Sequence, residues 1–319
     1  MERVLITGAL GQIGTELVMK MRGIYGADNV IATDIRKRDD AVVLGGTFEI
    51  LDVTDKKAYF EVARKYRVDT IIHLAALLSA TAETKPILAW DLNMGGLLNA
   101  LEVAKELECK FFTPSSIGVF GPTTPKNNTP QDTIQRPTTM YGVNKVSGEL
   151  LCDYYFHKYG LDTRGLRFPG LISSVALPGG GTTDYAVEIY YEAIENAKFS
   201  SYIAQGTYMD MMYMPDALDA IINLMEADAT KLVHRNSFNV TAMSFEPNEI
   251  ASEIRQHIPK FKMEYNVDPV KQAIAESWPD SIDATVAKEE WGFKIAYDLK
   301  EMTEDMLLKL GGKLKQVGS

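Results

Sequence analysis

Short runs rich in β-branched and aromatic residues alternate with amphipathic, helix-length segments through the first half of the chain. The runs are RVLITG, NVIATDI, FEILDV, TIIHLAA, KFFTPSS and TRGLRFPG. Runs this apolar read as strands covered on both faces, and their alternation with helices is the pattern of βαβ units in a parallel sheet. After Gly14 the residues Leu17, Val18 and Met21 fall at helical spacing, and further helices are predicted near 56–66, 90–106 and 141–159. The expected fold is α/β, a doubly wound parallel sheet.

Beyond Pro169 the pattern loosens. The loop LPGGGTTD opens a helix to about residue 197, followed by YIAQ, MMYMPDALDAIINLMEAD, SFNVTA and helical segments near 248–257 and 298–310. We expect a smaller C-terminal substrate lobe, about 171–205 and 243–319, interleaved with a sheet domain formed by 1–170 and about 206–242. TTPKNNTPQDTIQRPTT, between Gly121 and Met140, is a long turn-rich loop, and loops that long in compact domains are often functional. The cluster Met209, Met211, Met212 and Met214 is expected to pack the lobe against the sheet, because methionine fills irregular gaps.

Composition narrows the class. The 319 residues are 46% hydrophobic and 24% charged, which excludes a disordered, collagenous or coiled-coil chain. With 33 basic against 43 acidic residues the formal charge is -10, which argues against nucleic acid and for a small-molecule partner. The apolar run TIIHLAALL is far shorter than the roughly 20 residues that cross a bilayer, and Met1 leads almost directly into a strand, so neither a membrane span nor a signal peptide is expected. Cys109 and Cys152 make no disulfide framework, which fits a cytoplasmic location. His73, His157, His234 and His257 show no metal-ligand spacing, so no metal is expected, and His73 reads as a satisfied core residue.

GALGQIG stands between the strand VLIT and a helix, the context in which a glycine pattern indicates dinucleotide binding. Glycines allow the tight turn and the close approach of a pyrophosphate, and the helix start offers unpaired N–H groups. Gly8, Gly11, Gln12, Ile13 and Gly14 are the candidates. Asp34 ends the second strand, 20 residues after Gly14, where a carboxylate accepts from a ribose diol and repels a 2′-phosphate. NAD is therefore expected over NADP, although Arg36 and Arg38 weaken the exclusion.

Tyr141 and Lys145 stand four apart at the start of a helix and share one face. A tyrosine titrating near 10 is a poor base at neutral pH, but an adjacent ammonium and an oxidised nicotinamide favour its phenolate. Ser116, with Ser115 beside it, closes a strand and supplies a hydroxyl to hold the substrate oxygen. The pattern alone is weak: 15 tyrosines and 22 lysines give about one chance match in such a chain. A second match, Tyr154 and Lys158, lies roughly 20 Å further along the same helix, so Tyr154, Tyr155, Phe156 and Tyr159 read as packing or interface residues.

GALGQIG, Asp34, LDVTD, HLAA, SSIGVFG and YGVNK together resemble the extended short-chain dehydrogenase/reductase family over nearly the whole chain. The resemblance implies a Rossmann NAD-binding domain, with Asp52 and Val53 beside the adenine, Leu74, Ala75 and Ala76 along the cofactor, and Ser116, Tyr141 and Lys145 as the catalytic set. Phe168 to Leu171 would line the nicotinamide. Within that family RFPGLIS, PGGGTTDYAVEIYYEA and MMYMPDAL resemble the NAD-dependent L-threonine 3-dehydrogenases of the sugar-epimerase-like branch. That resemblance implies oxidation of the L-threonine hydroxyl and a homodimer built through a four-helix interface.

Gly179 to Gly181 can move as a lid, and Thr182 and Thr183 begin the next helix, where they could receive a carboxylate or merely cap. Ser79 is a second candidate for the amino-acid head. The rival readings are an NAD-dependent nucleotide-sugar 4-epimerase, which needs a larger cleft lined with basic residues, and a non-catalytic dinucleotide sensor, which has no use for a tyrosine beside a lysine. A dehydratase would carry an acidic pair where Ile117 and Gly118 stand, and no GxSxG elbow supports a serine hydrolase.

Overall fold

The computed structural model describes residues 1–177, 179 and 181–317. Six parallel strands form the central sheet in the order Phe48–Ile50, Val30–Asp34, Val4–Thr7, Thr70–His73, Lys110–Phe112 and Thr163–Arg164. The chain runs outward from Val4–Thr7 to one edge, then returns to its other side at Thr70–His73. Between those two strands the connections diverge, leaving the crevice in which doubly wound sheets bind ligands.

Alternating side chains of one strand serve two cores. Val4 and Ile6 pack with the helices Gln12–Tyr25 and Met214–Glu226, while Leu5 packs with Lys56–Lys65, Pro86–Glu106 and Met140–Tyr159. Both faces are covered, which is why these strands read as continuous apolar runs. Cys109 and Cys152 are both buried and unpaired.

The sixth run does not form one unbroken strand. Pro114 has no N–H to give the ladder, and a Cβ at Gly165 would lie 2.8 Å from the Thr113 carbonyl oxygen and 3.3 Å from the Ser237 nitrogen. Past this interruption the same register resumes, with Ser115 opposite Arg167 and Ser116 opposite Phe168. There Phe238–Asn239 adds in parallel on the outer side.

A third core fills the lobe, built on Gly170–Ile172, Met209–Tyr213 and Met243–Phe245 and covered by Tyr185–Glu195, Pro247–His257 and Leu299–Val317. The strand Met209–Tyr213 joins the two bodies: Met209 and Met211 point into the lobe core, Met212 into the sheet core, and Met214 follows it there. The sequence pattern missed the short helices Ala41–Leu44 and Ser79–Thr84 in the sheet domain, and then Pro269–Ser277 and Thr285–Trp291. Thr285–Trp291 and its flanks bring Ala284, Ala287 and Phe293 back onto the sheet core from within the segment expected to form the lobe.

Candidate active site

At the carboxyl ends of the strands an open cleft of about 240 Å³ separates the sheet from the lobe. The glycine turn forms its floor. Gly8 has φ +66°, and a Cβ there would lie 2.7 Å from the Ala75 nitrogen; one on Gly14 would lie 2.4 Å from the Gly8 carbonyl oxygen. Only bare backbone lets the turn nest against 74–76 and the helix sit down on the turn. The helix Gln12–Tyr25 starts from Gly11 with no side-chain cap, so its first N–H groups open on the cleft. This uncapped start, with the approach left by the glycines, fits the pyrophosphate of a dinucleotide. Leu74 and Ala76 line the same cleft, and the Gln12 amide donates to the Leu171 carbonyl oxygen at 3.4 Å.

Asp34 is half-buried beside this turn. Its carboxylate accepts from the N–H of Leu10 at 3.1 Å and of Arg36 at 3.4 Å. The Arg38 guanidinium donates to the Leu10 carbonyl oxygen at 2.7 Å, so an acid and a base face the same turn. Asp52 and Val53 lie apart from the catalytic cleft. Asp52 accepts from the Thr54 N–H and hydroxyl at 2.9 and 2.7 Å, and the Val53 carbonyl oxygen accepts from Asn99 at 2.9 Å.

The catalytic candidates converge. Thr139 caps the helix Met140–Tyr159 by accepting from the Gly142 N–H at 3.1 Å, which starts the helix one residue before Tyr141. Ser116 Oγ accepts from the Gly118 N–H at 3.1 Å and meets the Tyr141 hydroxyl. A Cβ on Gly118 would stand 3.4 Å from the Tyr141 ring and 3.5 Å from Ser116 Oγ, close to both groups where they meet. One turn on, Lys145 Nζ lies 5.4 Å from the Tyr141 ring centre and donates to the Pro114 carbonyl oxygen at 2.6 Å.

Desolvation pushes the Tyr141 hydroxyl up to about 12, against the opposing pull of Ser116. Desolvation also brings the Lys145 ammonium down to about 8, with Glu149 pulling the other way. Unaided, the chain holds its tyrosine protonated at neutral pH and its lysine charged. The further positive charge of an oxidised nicotinamide is what would favour the phenolate.

Ser79, Thr182, Thr183 and Ser115 share the wall of this cleft with Tyr141. The Ser115 hydroxyl is already engaged: it donates to Glu149 Oε1 at 2.5 Å, within a buried pair in which Arg167 meets Glu149 at 2.9 Å. Asp184 performs the capping, accepting from the Gly181 N–H at 2.6 Å, and among the described residues neither threonine hydroxyl bonds the helix it precedes. Of the three glycines ahead of them, Gly180 lies outside the described residues.

His73 is a core residue satisfied on one side only. Its Nδ1 lies 3.0 Å from Thr7 Oγ1, Nε2 has no partner among the described residues, and desolvation pushes the ring down to about 3. Sequence reasoning missed the Pro114 carbonyl, Asp184 and Trp278 in this wall. Proline beside the SS pair and the acid after TTD were visible, whereas nothing near Trp278 in sequence marked it.

The NAD dependent epimerase/dehydratase family matches the chain over residues 4–240. An uncharacterized epimerase/dehydratase of Staphylococcus haemolyticus is 65% identical over 308 residues, covering 96% of this chain and 97% of its own length. Among solved structures, the L-threonine dehydrogenase of Clostridium difficile is 66% identical with a TM-score of 0.97, covering 98% of each chain. A GalE-like L-threonine dehydrogenase of Cupriavidus necator, in its holo form, is 46% identical with a TM-score of 0.94, covering 97% of this chain and 99% of that one.

Proposed function

The chain belongs to the NAD dependent epimerase/dehydratase family, and from that membership we propose that it oxidises the side-chain hydroxyl of L-threonine to give 2-amino-3-oxobutanoate. The observation that carries this reading is the convergence of Ser116, Tyr141 and Lys145 with Thr182 and Thr183 on one small cleft. NAD is the cofactor, and when bound it supplies the acceptor for the hydride leaving the substrate Cβ.

Ser116 donates to the substrate oxygen and orients it. Tyr141 Oη, as phenolate, takes the hydroxyl proton, so the oxygen's electron pair forms the carbonyl as the Cβ–H pair departs. Lys145, anchored on Pro114, holds positive charge beside the phenolate and reaches the nicotinamide ribose. Gly8, Gly11, Gln12, Ile13 and Gly14 hold the pyrophosphate, Asp34 the adenosine ribose, Asp52 and Val53 the adenine, and Leu74 to Ala76 with Leu171 flank the cofactor between. Thr182 and Thr183, with Ser79, receive the amino-acid head.

A second copy of the chain is proposed to cover the face formed by Pro86–Glu106 and Met140–Tyr159. Trp90, Leu98, Leu150 and Tyr154 are exposed on that face, four large apolar side chains from two helices packed side by side.

The second reading is a nucleotide-sugar 4-epimerase, which would be one of the epimerases that the family's description includes. A diphosphate calls for cations on the lobe side of the cleft, where Thr182, Thr183, Asp184 and Trp278 stand instead. The deciding assay follows nicotinamide absorbance with L-threonine and NAD, run beside D-threonine, L-serine, NADP and UDP-galactose epimerisation. Turnover with L-threonine and NAD supports the proposal; epimerisation without it moves the function to nucleotide sugars.

A further inference from the structure

The turn-rich loop 122–139 and the corner after Ser277 take no part in the chemistry above, and they meet around one aromatic side chain. The helix Pro269–Ser277 packs on Thr182–Asp184 and ends at Trp278, whose N–H donates to the Ala275 carbonyl oxygen at 3.1 Å. Trp278 is 8% exposed and lines the catalytic cleft. Tyr141 and Phe168 are the other aromatic lining residues, and both come from the sheet side. The Trp278 indole N–H has no partner among the described residues, yet it is not sealed off as that of Trp291 is.

A single loop residue brackets this corner. Lys126 Nζ donates to the Glu276 carbonyl oxygen at 2.7 Å, and the Lys126 carbonyl oxygen accepts from the N–H of Asp280 at 2.8 Å and of Ser281 at 3.1 Å. Next along, the Ile282 N–H donates to the buried Asp210 at 2.5 Å. The backbone is thus tied down within two residues on either side of Trp278. A large planar side chain on a backbone pinned this closely is a wall that does not yield, in contrast to the small residues around it.

We propose that Trp278 is the specificity-determining residue of this cleft: its indole closes the lobe side and limits the size of the substrate whose hydroxyl can still reach Tyr141. Lys126 is its positioning residue. The inference rests on the reading that the substrate is a small 3-hydroxy amino acid, and it assigns the long loop a role in selectivity.

The test compares wild-type protein with Trp278→Ala, Trp278→Phe and Lys126→Ala, each saturated with NAD, on L-threonine and on L-threo-3-phenylserine. Trp278→Ala should lower kcat/KM for L-threonine about tenfold, chiefly through KM, and cut the preference for L-threonine over phenylserine by about tenfold or more. Trp278→Phe should restore most of that preference, and Lys126→Ala should erode it in the same direction by a smaller factor. Should Trp278→Ala not fold, Trp278→Leu takes its place, and the indole fluorescence change on adding L-threonine to NAD-bound Tyr141→Phe protein, which binds with little turnover, should vanish when Trp278→Phe is added to it. A folded Trp278→Ala or Trp278→Leu with wild-type preference, or a fluorescence response that survives Trp278→Phe, overturns the assignment alone. A wild-type protein that does not oxidise L-threonine overturns the functional reading with it.

Discussion

Lys145 donates its ammonium to the carbonyl oxygen of Pro114 at 2.6 Å, and Pro114 is also the residue at which the strand ladder breaks. The two facts are connected. A proline cannot pass the ladder's hydrogen bond onward, so the sheet parts between Phe112 and Ser115 and leaves a carbonyl free to take a cation. A defect in the sheet fixes the position of a charge. From there Lys145 faces the Tyr141 ring, and the hydroxyl of Ser116 waits two residues past the break.

Removing that charge should therefore act on the tyrosine. With Lys145→Met, the pH at which turnover of L-threonine reaches half its maximum should rise by about 1–3 units, since an ammonium near a phenolate favours it by that order. Tyr141→Phe should keep NAD binding while turnover falls by about 10²–10⁴-fold. Steady-state kinetics across pH, with NAD affinity from fluorescence titration, check both. Near-normal turnover in Tyr141→Phe would exclude it as the base.

The Asp34 carboxylate accepts from the Leu10 N–H of the glycine turn, so it supports the turn as well as the ribose contact proposed for it. Truncation to alanine would confuse the two roles. Asp34→Asn keeps an acceptor for the turn and deletes the charge that repels a 2′-phosphate, with Arg38 already on the same turn. The preference for NAD over NADP, as a ratio of kcat/KM, should fall about tenfold, equivalent to about 1.4 kcal/mol. An unmoved ratio would remove Asp34 from cofactor selection.

What was legible in the chain follows from how local each signal is. The glycine turn, Asp34 and the Tyr141–Lys145 pair are set by spacing within one or two adjacent elements, so period and turn chemistry reach them. The interruption at Pro114 and Gly165 was not legible, because it depends on Thr113 and Ser237 closing on a glycine from two sides. The engagement of Ser115 by Glu149 and Arg167 unites three segments, and no periodicity encodes it. Trp278 follows a helix with only one buried residue, Ala275, whose weak pattern also hid its ending.

The exposed apolar face gives a prediction about assembly. Asn93 donates to Asn144 at 3.1 Å across the buried seam between Pro86–Glu106 and Met140–Tyr159, locking the two helices as one surface. Leu150 stands on that surface and is 61% exposed. Leu150→Glu should leave the monomer fold intact, since the side chain touches no core, but place a charge where a second copy would bury it. Sedimentation velocity at micromolar concentration should show a wild-type dimer and a monomeric variant. A wild-type monomer, or a variant that still dimerises, would locate the interface elsewhere or nowhere.

His234 ties three distant segments together away from the cleft. Its Nδ1 lies 2.5 Å from Glu290 Oε1 and its Nε2 lies 3.2 Å from Asp132 Oδ2, while Glu290 also accepts from the N–H of Val233 and His234. Burial alone would lower the titration of the imidazole, but the two carboxylates outweigh it and raise the net value above the ordinary one. A histidine more easily protonated in the folded than in the unfolded chain stabilises fully below its unfolded value of about 6.5, and that stabilisation disappears as pH rises through the folded value. The His234 side chain is 26% exposed and Asp132 is 85% exposed, so solvent screens the outer pair and the inner one dominates. Thermal unfolding of His234→Gln should then lie about 1 kcal/mol below wild type near pH 6, or about 2 °C for a chain of this size. The gap should close as pH rises through the folded value of His234, where the imidazole loses its charge. A gap that stays constant across this range would mean that His234 contributes by packing on Phe238 and not by its charge.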